Sequence, residues 1–159
     1  MRLTHGGIQY GSFWDKSICN FERMGYIYIQ KDITSVTISE GIEMIDQNVF
    51  FASQGLTKIT IPSSVTSIGY AAFGYCTSLT EITIPSSVTS IGSAAFSNCT
   101  SLTEITIPNS VTTMEGHVFA SIPSITVHVP WKEGEKPDGW DNDWANTSPD
   151  CTITIDYAK

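Results

Sequence analysis

The stretch Leu79–Ser101, LTEITIPSSVTSIGSAAFSNCTS, decides the fold, because the 23 residues before it repeat it almost letter for letter. Leu56–Ser78 reads LTKITIPSSVTSIGYAAFGYCTS, identical at nineteen of 23 positions. Stepping outward by the same period finds a third copy from Leu102, LTEITIPNSVTTMEGHVFASIPS, which shares twelve positions with the copy before it. A more divergent copy opens at Ile33, and the strand phrase recurs once more as ITVHVP at 125–130, one residue out of step. Periodicity of this length marks a solenoid, in which each repeat buries its apolar side only against its neighbours.

The apolar residues fall into columns, one layer per coil. These are Ile33, Leu56, Leu79, Leu102; Val36, Ile59, Ile82, Ile105; Ile38, Ile61, Ile84, Ile107; Ile42, Val65, Val88, Val111; Ile45, Ile68, Ile91, Met114; and Phe50, Phe73, Phe96, Phe119. LTEITIP alternates as a half-buried strand does, with Ile82 and Ile84 inward and Glu81 and Thr83 outward. Pro85 ends the strand because proline has no N–H to give a ladder. VTSI reads as a second short extended piece, and SAAFSNC, too short for a stable helix, reads as a turn or single helical coil that drives Phe96 inward.

The expected organisation is one structural domain. An N-terminal cap covers 1–32, four repeats cover 33–55, 56–78, 79–101 and 102–124, a partial repeat covers 125–130, and a C-terminal cap covers 131–159. Both caps are aromatic, as the ends of a solenoid require if they are to shield core and strand edges. YIYIQ at 26–30 is expected to add a strand against the first coil, and CTITIDY at 151–157 alternates as a strand.

Composition narrows the function. The 159 residues carry a net charge of −8 and no Lys/Arg cluster, which disfavours phosphate backbones and anionic membrane surfaces. Charged residues make up 15%, and no apolar run approaches the length of a membrane helix, so no membrane insertion is expected. The N-terminus has one Arg and no apolar run of the signal-peptide kind. By itself this leaves open a cytoplasmic protein or a piece of a longer exported chain.

Catalytic and metal motifs are missing. There is no G-x-S-x-G, phosphate-binding loop or dinucleotide fingerprint, and Glu81 and Glu104 are a carboxylate pair produced by the repeat. Acid–base catalysis needs two different environments, which a repeated position does not offer. His5, His117 and His128 lack metal-ligand spacing. DGWDNDWAN gathers Asp138, Asp141, Asp143 and Asn146, but it lacks the glycine and terminal acid of a calcium loop, and a solvated turn is the better reading. No enzyme, metal or cofactor is expected. Cys76 and Cys99 are one period apart, close enough when stacked for a disulfide, although a column of buried free thiols is preferred.

The best binding candidate is the outward face of the strand phrases: Lys58, Thr60, Glu81, Thr83, Glu104, Thr106 and, at the end, His128. Thr on an exposed strand also stabilises a sheet without any ligand. Stalk or spacer use, and carbohydrate binding through Trp131, Trp140 and Trp144, are the competing roles.

The L-x-x-I-x-I phrase resembles leucine-rich repeats, and the 23-residue form LTxITIPSSVTSIGxAAFxxCTS resembles the BspA-like class. Ile-Pro after the strand, the Ile-Gly step, the Ala-Phe pair and the Cys match in order; Ser39, Ser53 and Ile122 depart from it. The resemblance implies a leucine-rich-repeat solenoid, of the α/β superhelix class, with short parallel strands, tight turns and little regular helix. It also implies a surface-exposed or secreted protein. Its partners would be host or extracellular-matrix proteins, or other cell-surface proteins.

Overall fold

The computed structural model describes residues 4–5, 8–10, 33–145 and 151–158. Its strands in chain order are β1 (Thr4–His5), β2 (Ile8–Tyr10), β3 (Ser35–Ile38), β4 (Met44–Ile45), β5 (Lys58–Thr60), β6 (Ser67–Ile68), β7 (Glu81–Ile82), β8 (Ser90–Ile91), β9 (Glu104–Thr106), β10 (Thr113–Met114), β11 (Ser124–Val129) and β12 (Thr152–Tyr157). None of the described residues is helical. The SAAFSNC segments are turns, and Phe96 is fully buried, as expected.

Each coil contributes one strand to each of two parallel ladders. The VTSI pieces form the ladder β4-β6-β8-β10. The LTxITIP phrases form β3-β5-β7 and, separately, β9-β11-β12. Register follows the 23-residue period: Val36 pairs with Ile59, and Ile59 with Ile82. His128 pairs with Thr106 and with Asp156, the offset that the one-residue slip in the last strand phrase implies.

The inward columns form one core. Phe50, Phe73, Phe96 and Phe119 stack with ring centroids 5.3, 5.4 and 5.8 Å apart. Gly69 and Gly92 explain the Ile-Gly step. A Cβ on Gly92 would stand 2.8 Å from the backbone of Gly69 and Tyr70 in the coil before. Two other columns have left-handed backbone without glycine: Asn48, Ala71, Ala94 and His117, then Ala52, Tyr75, Asn98 and Ser121, all with φ between 48 and 64°.

The ends are closed differently. On one side β2 pairs antiparallel with β3 and β1 with β2, a hairpin that the sequence did not suggest. The YIYIQ strand lies outside the described residues. At the other end CTITIDY forms the expected strand, β12, and the structure adds it to β11 in parallel. Trp144 meets Phe119 edge-on at 6.1 Å and Trp140 at 5.0 Å. Trp140 is 2% exposed, and its indole N–H donates to the Val111 carbonyl at 3.0 Å. These two indoles seal the core and cannot serve as an exposed sugar platform, which removes them from the carbohydrate reading.

Cys76 and Cys99 are free, buried thiols. Each donates to a carbonyl of the preceding coil, Cys76 to Phe50 and Cys99 to Phe73, both at 3.1 Å. Burial pushes the Cys76 thiol up to about 12 and that of Cys99 higher still, so both stay protonated.

Candidate functional site

Threonine columns on this solenoid do two different jobs. In one column, the hydroxyl of Thr57 donates to the carbonyl of Thr34 at 2.9 Å, and that of Thr80 to Thr57 at 3.3 Å. On the other ladder Thr66, Thr89 and Thr112 donate to Glu43, Thr66 and Thr89 in turn. These hydroxyls tie each coil to the one before it. The column Thr37, Thr60, Thr83, Thr106 is different. All four are exposed, and among the described residues none of their hydroxyls makes a hydrogen bond within the protein. The alternation of the strands sends these side chains outward, while Ile59, Ile82 and Ile105 beside them go into the core.

Charged groups border this column. Lys58 pairs with Glu81 across β5 and β7 at 3.7 Å, with both side chains largely exposed. Such a pair is screened by water and contributes little to stability. His128, half-buried on β11, lies between two carboxylates. Its Nδ1 is 2.6 Å from Asp156 Oδ2, and its Nε2 is 3.0 Å from Glu104 Oε1. The hydrogen bond to Asp156, reinforced by the charges of Glu104 and Asp156, raises the histidine above its ordinary value, and desolvation only partly opposes this. Asp156 could be placed on a strand from the sequence, but not beside His128, because no repeat copy aligns the cap with the array.

The seven residues singled out in the sequence do not form one cluster. Lys58 and Glu81 form one pair, and Glu104 and His128 another. Glu81, Thr83, Glu104 and Thr106 line a groove of about 460 Å³ between β7 and β9, whose remaining walls include Ile82, Ile105 and Pro108. Thr60 stands apart from that groove, opposite Thr37 on β3.

The second and third repeats differ at four positions outside the apolar columns, Lys58 against Glu81, Tyr70 against Ser93, Gly74 against Ser97 and Tyr75 against Asn98, which on the repeat pattern should all face solvent. Lys58, Glu81, Tyr70 and Tyr75 do, and Ser93, Ser97 and Asn98 do in part. Gly74 does not: it is buried because the ring of Phe51 lies over it, 3.0 Å from where a Cβ would be. Near the cap, Asp143 approaches His117 at 3.3 Å, Asp138 and Asp141 are exposed, and Asn146 lies outside the described residues.

Residues 24–133 match the model of the BspA type leucine rich repeat region, in six copies. That count exceeds the four full repeats and one partial repeat read from the sequence, and the match begins within the segment assigned to the N-terminal cap. No curated protein matches the chain. Among solved structures, a leucine-rich repeat protein from Bacteroides ovatus ATCC 8483 is similar at 25% identity and a TM-score of 0.64, over 80% of this chain and 30% of that one. The T. pallidum leucine rich repeat protein shares the fold at 23% identity and a TM-score of 0.54, over 65% of this chain and 61% of that one. A leucine rich cell surface protein from Faecalibacterium prausnitzii A2-165 aligns at 29% identity and a TM-score of 0.48, over 63% of this chain and 36% of its own. The chain thus spans less than two thirds of the length of each of these proteins.

Proposed function

The chain belongs to the BspA-type leucine-rich repeat family, and from that premise we propose that it is a non-enzymatic protein-binding module of a surface-exposed or secreted protein. Its contact surface is the polar outer face of the strand ladders, and its partners are host or extracellular-matrix proteins, or other cell-surface proteins. One observation carries this reading: among the described residues the exposed column Thr37, Thr60, Thr83, Thr106 makes no side-chain hydrogen bond, whereas neighbouring threonine columns do. Hydroxyls left free along a rigid face are available to a partner.

The face is small. Seven strands from β2 to β12, about 4.8 Å apart and roughly four residues long, give an area on the order of 450 Å². A standard interface takes about 800 Å² from each partner. A single copy therefore binds modestly, and repeated display raises its avidity.

The test presents the whole chain to immobilised extracellular-matrix proteins and to a glycan panel. Thr60→Lys, Thr83→Lys and Thr106→Lys, made singly, are expected to weaken protein binding while leaving the unfolding midpoint nearly unchanged. A wild-type chain that binds nothing at high concentration is instead a spacer or stalk segment. Binding to glycans alone would move the function to carbohydrate recognition.

A further inference from the structure

The strand ladder is broken at one step. In an unbroken parallel ladder each coil repeats the hydrogen bond of the last. Thr57 N–H donates to Thr34 at 2.8 Å and Thr80 N–H to Thr57 at 3.2 Å. The corresponding bond from Thr103 N–H to the Thr80 carbonyl is not made, and β7 and β9 belong to separate sheets. On the opposite side the same two coils remain joined, with Ser90 paired to Thr113 and Ile91 to Met114. The opening is therefore one-sided. Beneath it Ile82 is 7% exposed, against 3% for Ile59 and 2% for Ile105.

Charge accounts for the position of the break. The column that contains Lys58 and Glu81 continues with Glu104, 23 residues on. Across β5 and β7 the cross-strand pair is Lys58 with Glu81, which attract. At the next step the equivalent residues are Glu81 and Glu104, and like charges facing each other on neighbouring strands oppose pairing. Glu104 turns to His128 instead, at 3.0 Å.

We propose that this groove receives an arginine side chain from a partner polypeptide. The groove, about 460 Å³, is far larger than a bare cation needs. Its walls combine Ile82, Ile105 and Pro108, suited to an aliphatic stem, with Glu81 and Glu104 at the two strands. The Thr80 carbonyl, freed by the break, adds an acceptor. A planar guanidinium has five donors and can serve both carboxylates and that carbonyl, which an ammonium does with poorer geometry. Local charge favours a cation, since Glu81, Glu104 and Asp156 outnumber Lys58 and His128. The proposal rests on the strand face being the binding surface, and it names the chemistry of the contact there.

The test titrates the ¹⁵N-labelled whole chain at low salt with acetyl-Gly-Arg-Gly-amide, its lysine analogue and its neutral citrulline isostere. The arginine peptide is expected to shift amides of residues 80–84 and 103–107, the lysine peptide to do so more weakly, and the citrulline peptide not at all. The Glu81→Gln/Glu104→Gln double variant should bind the arginine peptide about tenfold more weakly, as befits the loss of charge-assisted bonds. With the repulsion gone, hydrogen exchange of the Thr103 amide should slow in that variant. Equal shifts from citrulline, shifts confined elsewhere, or undiminished binding by the double variant would overturn the proposal. A matrix partner that the Thr60→Lys variant loses but the double variant keeps would remove the arginine groove and leave the binding face standing. Arginine-peptide binding without any protein partner would do the reverse.

Discussion

His128 Nδ1 lies 2.6 Å from Asp156 Oδ2, and this contact joins the last strand of the chain to the repeat array. The ring's other nitrogen reaches Glu104 at 3.0 Å, so three adjacent strands, β9, β11 and β12, meet at one imidazole. Both nitrogens donate only when the ring is protonated.

The raised pKa of His128 makes the stability of this end depend on pH. The folded-state value lies above the unfolded value of about 6.5. The contribution is therefore complete below about pH 6.5 and is lost as pH rises through the folded-state value. Urea unfolding should show a midpoint that falls across that window in the wild type, and this part of the fall should vanish in His128→Asn. An NMR titration of the His128 ring giving a midpoint at or below 6.5 would refute the assignment.

The two faces of a strand should respond oppositely to the same substitution. Ile59 is 3% exposed, whereas Thr60 beside it faces solvent. Ile59→Asp places an unpaired carboxylate in the core and is expected to cost more than ~3 kcal/mol. Thr60→Asp is expected to cost under ~1 kcal/mol, the usual range for exposed positions. Chemical denaturation of both variants measures the difference.

Trp144 is 5% exposed and closes the phenylalanine column against Phe119. Trp144→Ala leaves a cavity at the end of the core and is expected to cost ~3–5 kcal/mol. The near-ultraviolet circular dichroism should lose intensity with it, since Trp140 packs on the same indole. A variant as stable as the wild type would show that the cap is dispensable.

Ala94 adopts φ 56°, where an L-residue is strained and glycine is not. Ala94→Gly should therefore raise stability by up to about 1 kcal/mol, after the greater chain entropy of glycine in the unfolded state is subtracted. Ala95→Gly, at a fully buried neighbour without positive φ, should lower it. Comparing their urea midpoints separates backbone relief from lost packing.

Much of this was legible in the sequence. The core columns could be listed from the period, because a residue's neighbours above and below are its own copies. The outward strand positions followed from the same alternation, and so did Lys58 opposite Glu81. Gly74 was misjudged because its burial comes from Phe51, in the one described coil that carries an aromatic there. The β1–β2 hairpin and the contact between His128 and Asp156 were not visible, since neither belongs to the repeat.

The sequence by itself determined the period, the inward columns, the strand phrase and the family, because identical coils present one another with identical surfaces. Only the tertiary structure decided where that regularity stops. The ladder opens between β7 and β9, at the step where Glu104 follows Glu81 in one column, while the coils stay joined on the other side. Trp140 and Trp144 became core rather than surface because the last phenylalanine needed a cover. Both outcomes depend on which residues meet across coils, a relation that a repeated text encodes only where the copies agree.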